Sequence, residues 1–240
     1  MIGQILRDWR GLRGMSQMEL ALTADVSSRH VSFMESGRAR PSADMVLRLA
    51  EALAMPLRER NAMLIAAGFA PQYGESDWHS EQMVEIRRAA GLILAAHAPH
   101  PALVLDAAFT VLDANEAGAA LLGGLGGGKI NLVDLVFVPG PLRESIVNWP
   151  EVANYLMHRM REGVRMRGPQ SEIAQVLRRA RQQPGVEQLA QVHGGAGTVL
   201  LPVVVTINGV TTRWFTTVTT FGAPQDALAE EIMIEQFHPA

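Results

Sequence analysis

Residues 24–42 read ADVSSRHVSFMESGRARPS. Ser27 suits the residue before a helix, where its hydroxyl accepts a hydrogen bond from an orphan amide of the first turn. Val31 and Met34, three apart, share an inner face, while Ser28, Arg29, Ser32 and Phe33 fall on the outer or flanking faces. Glu35, Ser36 and Gly37 close the helix, with Gly37 free to take the left-handed C-terminal conformation. Arg38 and Arg40 follow at once, and Pro41 stops any continuation. A short helix with small polar groups and an arginine near its start suits a DNA major groove, where Arg and Ser meet base edges. The stretch therefore has the form of the turn, second helix and exit of a helix-turn-helix. A surface helix of any small bundle could carry the same caps, so the flanking residues decide between the two.

Working outward, residues 2–13 predict a helix, with Ile5, Leu6, Trp9 and Leu12 at helical spacing and Gly14 as its stop. Ser16-Gln17-Met18-Glu19 is a capping box that opens a second helix, with Leu20 and Ala21 inward. Gln17, at that helix's positive end, could meet a phosphate or brace the recognition helix. Downstream, residues 42–53 predict a helix burying Val46, Leu49, Ala50 and Leu53. Residues 56–67 predict a fifth, from Pro56 to a stop at Gly68.

Three blocks in this region, SQMELA, VSSRHVSFMESGR and PSADMVLRLAEAL, follow one another in a familiar order and spacing. Segment 16–37 resembles the xenobiotic-response-element family of helix-turn-helix regulators, whose fold is lambda-repressor-like. The family usually has glycine in the turn, where this chain has Asp25, a side chain that tolerates the left-handed backbone. The resemblance implies that Gln17, Ser28, Arg29 and Phe33 face the groove. It places Ser27, Ser32, Arg38 and Arg40 on or near phosphates. His30 stays open between a titrating contact and a plain phosphate or solvent contact.

The chain has 240 residues, net charge −3 and 48% hydrophobic residues, enough for two domains and a sizeable core. It has no cysteine, which excludes a disulfide scaffold, a thiolate zinc site and a cysteine nucleophile. That fits a cytoplasmic protein. Residues 1–13 are charged and amphipathic, unlike a signal peptide. No run of about 18 apolar residues is present to span a membrane. Residues 1–74 hold nine arginines against seven acids, a net +2, which leaves −5 for the remainder of a chain totalling −3. A weakly basic reader joined to an acidic module is the division this suggests.

Residues 71–77, PQYGESD, are rich in turn formers and mark a boundary. A helix is expected over 80–96, with an apolar stripe of Met83, Ile86, Ala90, Ile93 and Leu94. It could connect the domains or pair with a second copy. Residues 102–106 and 110–113 read as a hairpin, followed by a helix over 115–122. Residues 131–182 read as mostly helical, with a further helical piece near 186–193. Residues 199–207 and 210–221 flank Asn208-Gly209, a strong hairpin signal. Residues 227–237 are expected to end the chain as a helix.

The stretches PALVLDAAFTVLDANEAGAALL, NLVDLVF followed by SIVNWPEVANYLMHRMR, and FTTVTTFGAPQDALAEEIMIEQFHP resemble the ligand-binding domain of the MmyB-type transcriptional regulators, a PAS-like sensor. The resemblance implies a one-component regulator with a fatty-acid-like effector and no required cofactor. An elongated apolar ligand needs a cavity with aliphatic and aromatic walls and a few polar groups for its head. Candidate wall residues are Leu105, Val111, Leu122, Leu132, Leu135, Phe137, Ile146, Trp149, Leu156, Val203, Phe215 and Val218, any one of which could equally be plain core. Arg143, Asn148 and His158, near Trp149 in sequence, are candidates for a carboxylate head group.

Two further patterns carry less. GGLGGGK at 123–129 has part of a phosphate-binding loop, but Ile130 stands where Ser or Thr must hold magnesium and a helix precedes it. His97 and His100 are separated by Pro99 and lack a third ligand nearby. No nucleophile, base and orienter group by any motif, so an enzyme is not expected.

The expectation is a five-helix DNA-binding domain over 1–70, a linker over 71–79 and an α+β PAS-like domain over 80–240. Together they would make a homodimeric regulator, a repressor by first reading, bound to double-stranded operator DNA of inverted-repeat form and responsive to a hydrophobic small molecule. The alternative is a second half that serves only oligomerisation or protein interaction.

Overall fold

The structure is a computed structural model that describes residues 2–122, 129–191 and 200–240. These residues divide into two compact units. The first comprises Met1–Ser76 with Arg165–Pro169 and Ala223–Glu230, and the second comprises Asp77–Val164, Gln170–Gly222 and Glu231–Ala240.

The first unit is built on five helices, α1 (Ile2–Leu12), α2 (Gln17–Thr23), α3 (Ser28–Glu35), α4 (Ala43–Ala52) and α5 (Leu57–Ala67). Local chemistry sets their ends. Ser16 accepts from the Glu19 amide while the Glu19 carboxylate accepts from the Ser16 amide. Ser27 and Ser42 cap α3 and α4, and Gly68 ends α5 at φ 92°. Asp25 holds the α2–α3 turn at φ 52°, the left-handed conformation for which its side chain is suited. Leu6, Leu20, Val31, Met34, Val46, Leu49 and Met63 fill the core between these helices. Residues 72–75 stay attached to this unit. Buried Asn61 accepts from the Gln72 and Tyr73 amides and donates to the Tyr73 carbonyl and Glu75. The Leu57 amide at the open start of α5 donates to the Glu230 carboxylate at 2.8 Å, where the helix dipole favours negative charge.

The second unit opens with α6 (Val84–Ala96), preceded by a single 3-10 turn at Glu81–Met83. Five strands follow: β1 (Ala102–Leu105), β2 (Val111–Ala114), β3 (Val203–Ile207), β4 (Val210–Thr220) and β5 (Met233–Pro239). They form one antiparallel sheet in the order β2-β1-β5-β4-β3. Helices α7 (Glu116–Leu121), α8 (Leu132–Phe137), α9 (Pro141–Ser145), α10 (Trp149–Arg167) and α11 (Glu172–Arg181) accompany the sheet, while α12 (Ala227–Glu231) falls almost wholly in the first unit. Leu103, Leu105 and Phe237 of the sheet pack with Phe137, Ala153, Met157, Met160 and Leu177 into one core.

The C-terminal segment departs from expectation. The helix over 227–237 is confined to α12, and Met233–Pro239 is a strand that pairs with β1 on one side and β4 on the other. Alanines and glutamates favour a helix locally, but the central place in the sheet gives the segment backbone partners on both sides, from β1 and from β4, and wins. The glycine run at 123–128 and residues 192–199 lie outside the described residues.

Candidate functional site

In the first unit, α3 carries Ser28 and Arg29 exposed, with His30, Ser32 and Phe33 partly so. The Arg29 guanidinium lies 5.1 Å from the centre of the Phe33 ring, an arrangement that holds a flexible cation in place. Arg38 and Arg40 are exposed beyond the helix end, where the Arg38 amide donates back to the Phe33 carbonyl at 2.8 Å. Gln17 does brace the helix: its side-chain nitrogen donates to Glu35 at 2.8 Å.

Glu35, at the last position of α3, is buried and collects three elements. Arg10 of α1 grips its two carboxylate oxygens at 2.7 and 3.0 Å, in the fork geometry that guanidinium and carboxylate share. Arg7 adds a contact at 3.7 Å and donates to the Glu35 carbonyl. Burial pushes the Glu35 carboxyl up, but the Arg10 and Gln17 hydrogen bonds and the charges of Arg10 and Arg7 outweigh it and hold it below the ordinary carboxylate value. The presenting helix is thereby fixed to α1 and α2 from its concealed face.

In the second unit, a cavity of about 350 Å³ opens between the sheet and the α8–α10 helices, within the span of small-molecule sites. Its wall is mostly apolar and includes Val136, Val152, Leu156, Trp214 and Phe237, with the polar groups of Tyr155, Thr212, Thr216 and Glu235. Arg159, on α10, donates to Glu235 at 3.2 Å and lies over Phe109.

A protein-family model of the MmyB-like transcription regulator ligand binding domain matches residues 86–240. The chain belongs to the MmyB-like transcription regulators. A helix-turn-helix model matches residues 6–60 of this regulator. No curated protein matches the chain. Together the two matches mark a DNA-binding transcription regulator whose MmyB-like part is a ligand-binding domain. Among the described residues, no helix is long and apolar enough to cross a membrane.

Of the MmyB-like chain's residues singled out from sequence for a ligand, Leu132, Ile146, Leu156, Val203 and Phe215 stand on the cavity wall. Leu105, Leu122 and Phe137 are buried in the core behind it, and Val111, Leu135 and Trp149 pack against that core. Val218, opposite Glu235 in the β4–β5 register, is 45% exposed and off the wall.

The three polar candidates are not brought to the cavity. Arg143 lies 4.0 Å over the Trp149 ring and donates to the Phe137 and Pro184 carbonyls. Asn148 donates to the Pro202 carbonyl and accepts from the Val204 amide, which fastens the start of α10 to β3. His158 points outward on α10, beside Glu162. Each therefore has structural or solvent work, and the cavity's charged wall residue is Glu235. Sequence reasoning missed it because it read that segment as helix. The signal was present in the alternation Met233, Glu235, Phe237.

His97 packs between His100 and His238 of β5. The ring centres of His97 and His238 are 4.7 Å apart. Among the described residues no His, Cys, Asp or Glu group has a metal-binding arrangement.

Proposed function

We propose that the protein is a ligand-responsive transcription regulator, a repressor by first reading, that binds an inverted-repeat operator as a homodimer and releases or retains it according to a fatty-acid-like molecule in the second unit. The observation that carries the reading is the joint presence, in one chain, of a braced helix presenting Arg29 and a cavity with mostly apolar walls. Gln17, Ser28, Arg29 and Phe33 would face the groove, and Ser27, Ser32, Arg38 and Arg40 the phosphates. The antiparallel sheet that backs the cavity with helices over its other side is compatible with a PAS-like sensor. A ligand changes operator affinity only if it binds the two states of the dimer unequally.

The test pairs calorimetry across straight-chain acids with fluorescence anisotropy on an operator selected from random duplexes, at fixed salt because salt alone moves such affinities by orders of magnitude. Each buried methylene contributes about 0.8 kcal/mol, so affinity should climb with chain length until the cavity is filled and then stop. Saturable binding with unchanged operator affinity would make the second unit a carrier, and absence of binding would leave it an oligomerisation module.

A further inference from the structure

The first unit takes in two stretches from far along the chain, Arg165–Pro169 and Ala223–Glu230. Each prolongs elements of the cavity wall. Arg165 and Met166 lie in the last turn of α10, which carries Tyr155 and Leu156 on the wall. Residues 223–230 belong to the link between β4, with Trp214 and Thr216 on the wall, and β5, with Glu235 and Phe237. The helix on one side of the cavity and the strands on the other therefore both run on into the first unit.

Each stretch is fastened at a helix end. The last carbonyls of a helix lack partners within it and favour a cation. Arg13, just past the end of α1, closes two such ends at once. Its guanidinium donates to the Leu53 and Ala54 carbonyls after α4 at 2.7 and 2.9 Å, and to the Arg165 and Met166 carbonyls of α10 at 2.6 and 3.1 Å. It also lies 5.0 Å from the centre of the Trp9 ring, which holds it in place. The start of α5 has the opposite need, since Pro56 supplies no side-chain acceptor for the open amides. Glu230 supplies one, accepting from the Leu57 amide at 2.8 Å. Asp226 secures the same link, accepting from the Ser76 amide at 3.0 Å, while the Ala227 amide donates to the Gly74 carbonyl at 2.8 Å.

A helix and a hydrogen-bonded pair of strands move as bodies, so an occupant that shifts α10 against β4 and β5 also shifts the stretches that continue them. One fastening alone would let the wall pivot about it. Two, on elements that face each other across the cavity, remove that freedom. Accepting the ligand-responsive reading above, we propose that Arg13 and Glu230 are the residues through which cavity occupancy alters operator affinity, Arg13 by holding the end of α10 and Glu230 by holding the β4–β5 link. Neither stands on the cavity wall or on α3, so both are positioning residues.

The experiment uses the full chain, decanoate as the probe and an operator selected from random duplexes. Fluorescence anisotropy at fixed salt gives operator affinity without and with saturating decanoate, and calorimetry gives decanoate binding itself. The ratio of the two operator affinities decides, because a variant that merely loosens the first unit weakens both alike. In the wild type the ratio should depart from one by about fivefold or more, the usual scale of coupling between sites. In the double variant Arg13→Gln with Glu230→Ala it should fall to within about twofold of one, with decanoate still bound saturably. Should the double variant fail to fold, since Arg13 also holds Leu53 and Ala54, Glu230→Ala alone keeps α12 supplied with a good helix former. That variant should bring the ratio more than halfway to one on a logarithmic scale. A full wild-type ratio in whichever variant folds, or a ratio of one reached only because decanoate no longer binds, overturns the two joints and leaves the ligand-responsive regulator standing. A wild-type ratio of one, or no saturable decanoate binding to the wild type, overturns both.

Discussion

Gln17 and Glu35 stand eighteen positions apart and meet at 2.8 Å, amide nitrogen to carboxylate, joining the first residue of α2 to the last of α3. Arg10 completes the joint from α1. A turn between two short helices constrains their angle only loosely, and neither helix is long enough to be stable alone. The joint supplies what local propensity cannot, a fixed attitude for the face that carries Arg29.

Removing Arg10 should therefore loosen the first unit. In Arg10→Ala the buried Glu35 carboxylate keeps Gln17 and the more distant Arg7, and the loss should be about 3 kcal/mol, the low end for breaking a buried ion pair, since Arg10 is partly exposed. The pH dependence follows from Glu35 itself. Its folded value lies below the unfolded carboxylate value of about 4.3. Its contribution is then complete above that value and is lost as pH falls through the lowered folded one. Urea midpoints of the wild type should fall more steeply in acid than those of Glu35→Gln. Parallel curves would remove Glu35 from the acid response.

Two glycines of α1 should respond oppositely to alanine. A Cβ on Gly3 would lie 2.5 Å from the Glu35 carbonyl oxygen and 2.6 Å from that of Met34, so the helix would have to back away from α3. Despite alanine's better helix propensity, Gly3→Ala should cost about 1–3 kcal/mol, as overpacking does. Around Gly11 nothing lies within 4 Å, so Gly11→Ala should gain up to about 1 kcal/mol. Thermal unfolding of the two variants distinguishes the cases, and equal shifts of the same sign would contradict the close approach.

These joints mark where reading the sequence stops. Caps and turns were legible because they are written in neighbouring residues, as with Ser16 and Glu19, Ser27, Asp25 and Gly68. The hairpin at Asn208-Gly209 was legible for the same reason, and both its residues take positive φ. Glu35 was not, since Arg10 and Gln17 each look like surface polar residues until three helices are assembled. The segment at β5 was misread because its partners lie about 130 residues upstream in β1 and across α12 in β4, and the Ala-Glu composition just before it outweighed the alternation of Met233, Glu235 and Phe237. That one error hid Glu235 and Phe237 from the cavity and left Arg143, Asn148 and His158 as the conspicuous polar groups nearby.

On DNA, Arg29 and Arg38 should separate. If Arg29 reads a base edge from α3, Arg29→Ala should cost about 1–3 kcal/mol and relax preference at one position of the half-site. Arg38, exposed past the helix end, should act on phosphate, so Arg38→Ala should weaken all duplexes alike and reduce the salt slope by about one. Anisotropy on specific and random duplexes at several salt concentrations measures both. Equal losses on the two duplexes for Arg29→Ala would move it to the backbone.

The cavity should be adjustable from its wall without touching the head. Leu156 lines it from α10 and is 5% exposed, and Phe237 lines it from β5. Leu156→Phe adds bulk where the chain must lie, and the length at which affinity stops climbing should shorten. Phe237→Ala removes a ring from the opposite side. It should cost about 3–5 kcal/mol of stability yet move the limit to longer chains, because the vacated volume stays apolar and accepts further methylenes at about 0.8 kcal/mol each. The two shifts have opposite signs, which general weakening cannot imitate. Calorimetry across the chain series for wild type and both variants is the measurement. A limit that stays at the same chain length in all three would place the bound chain elsewhere on the protein.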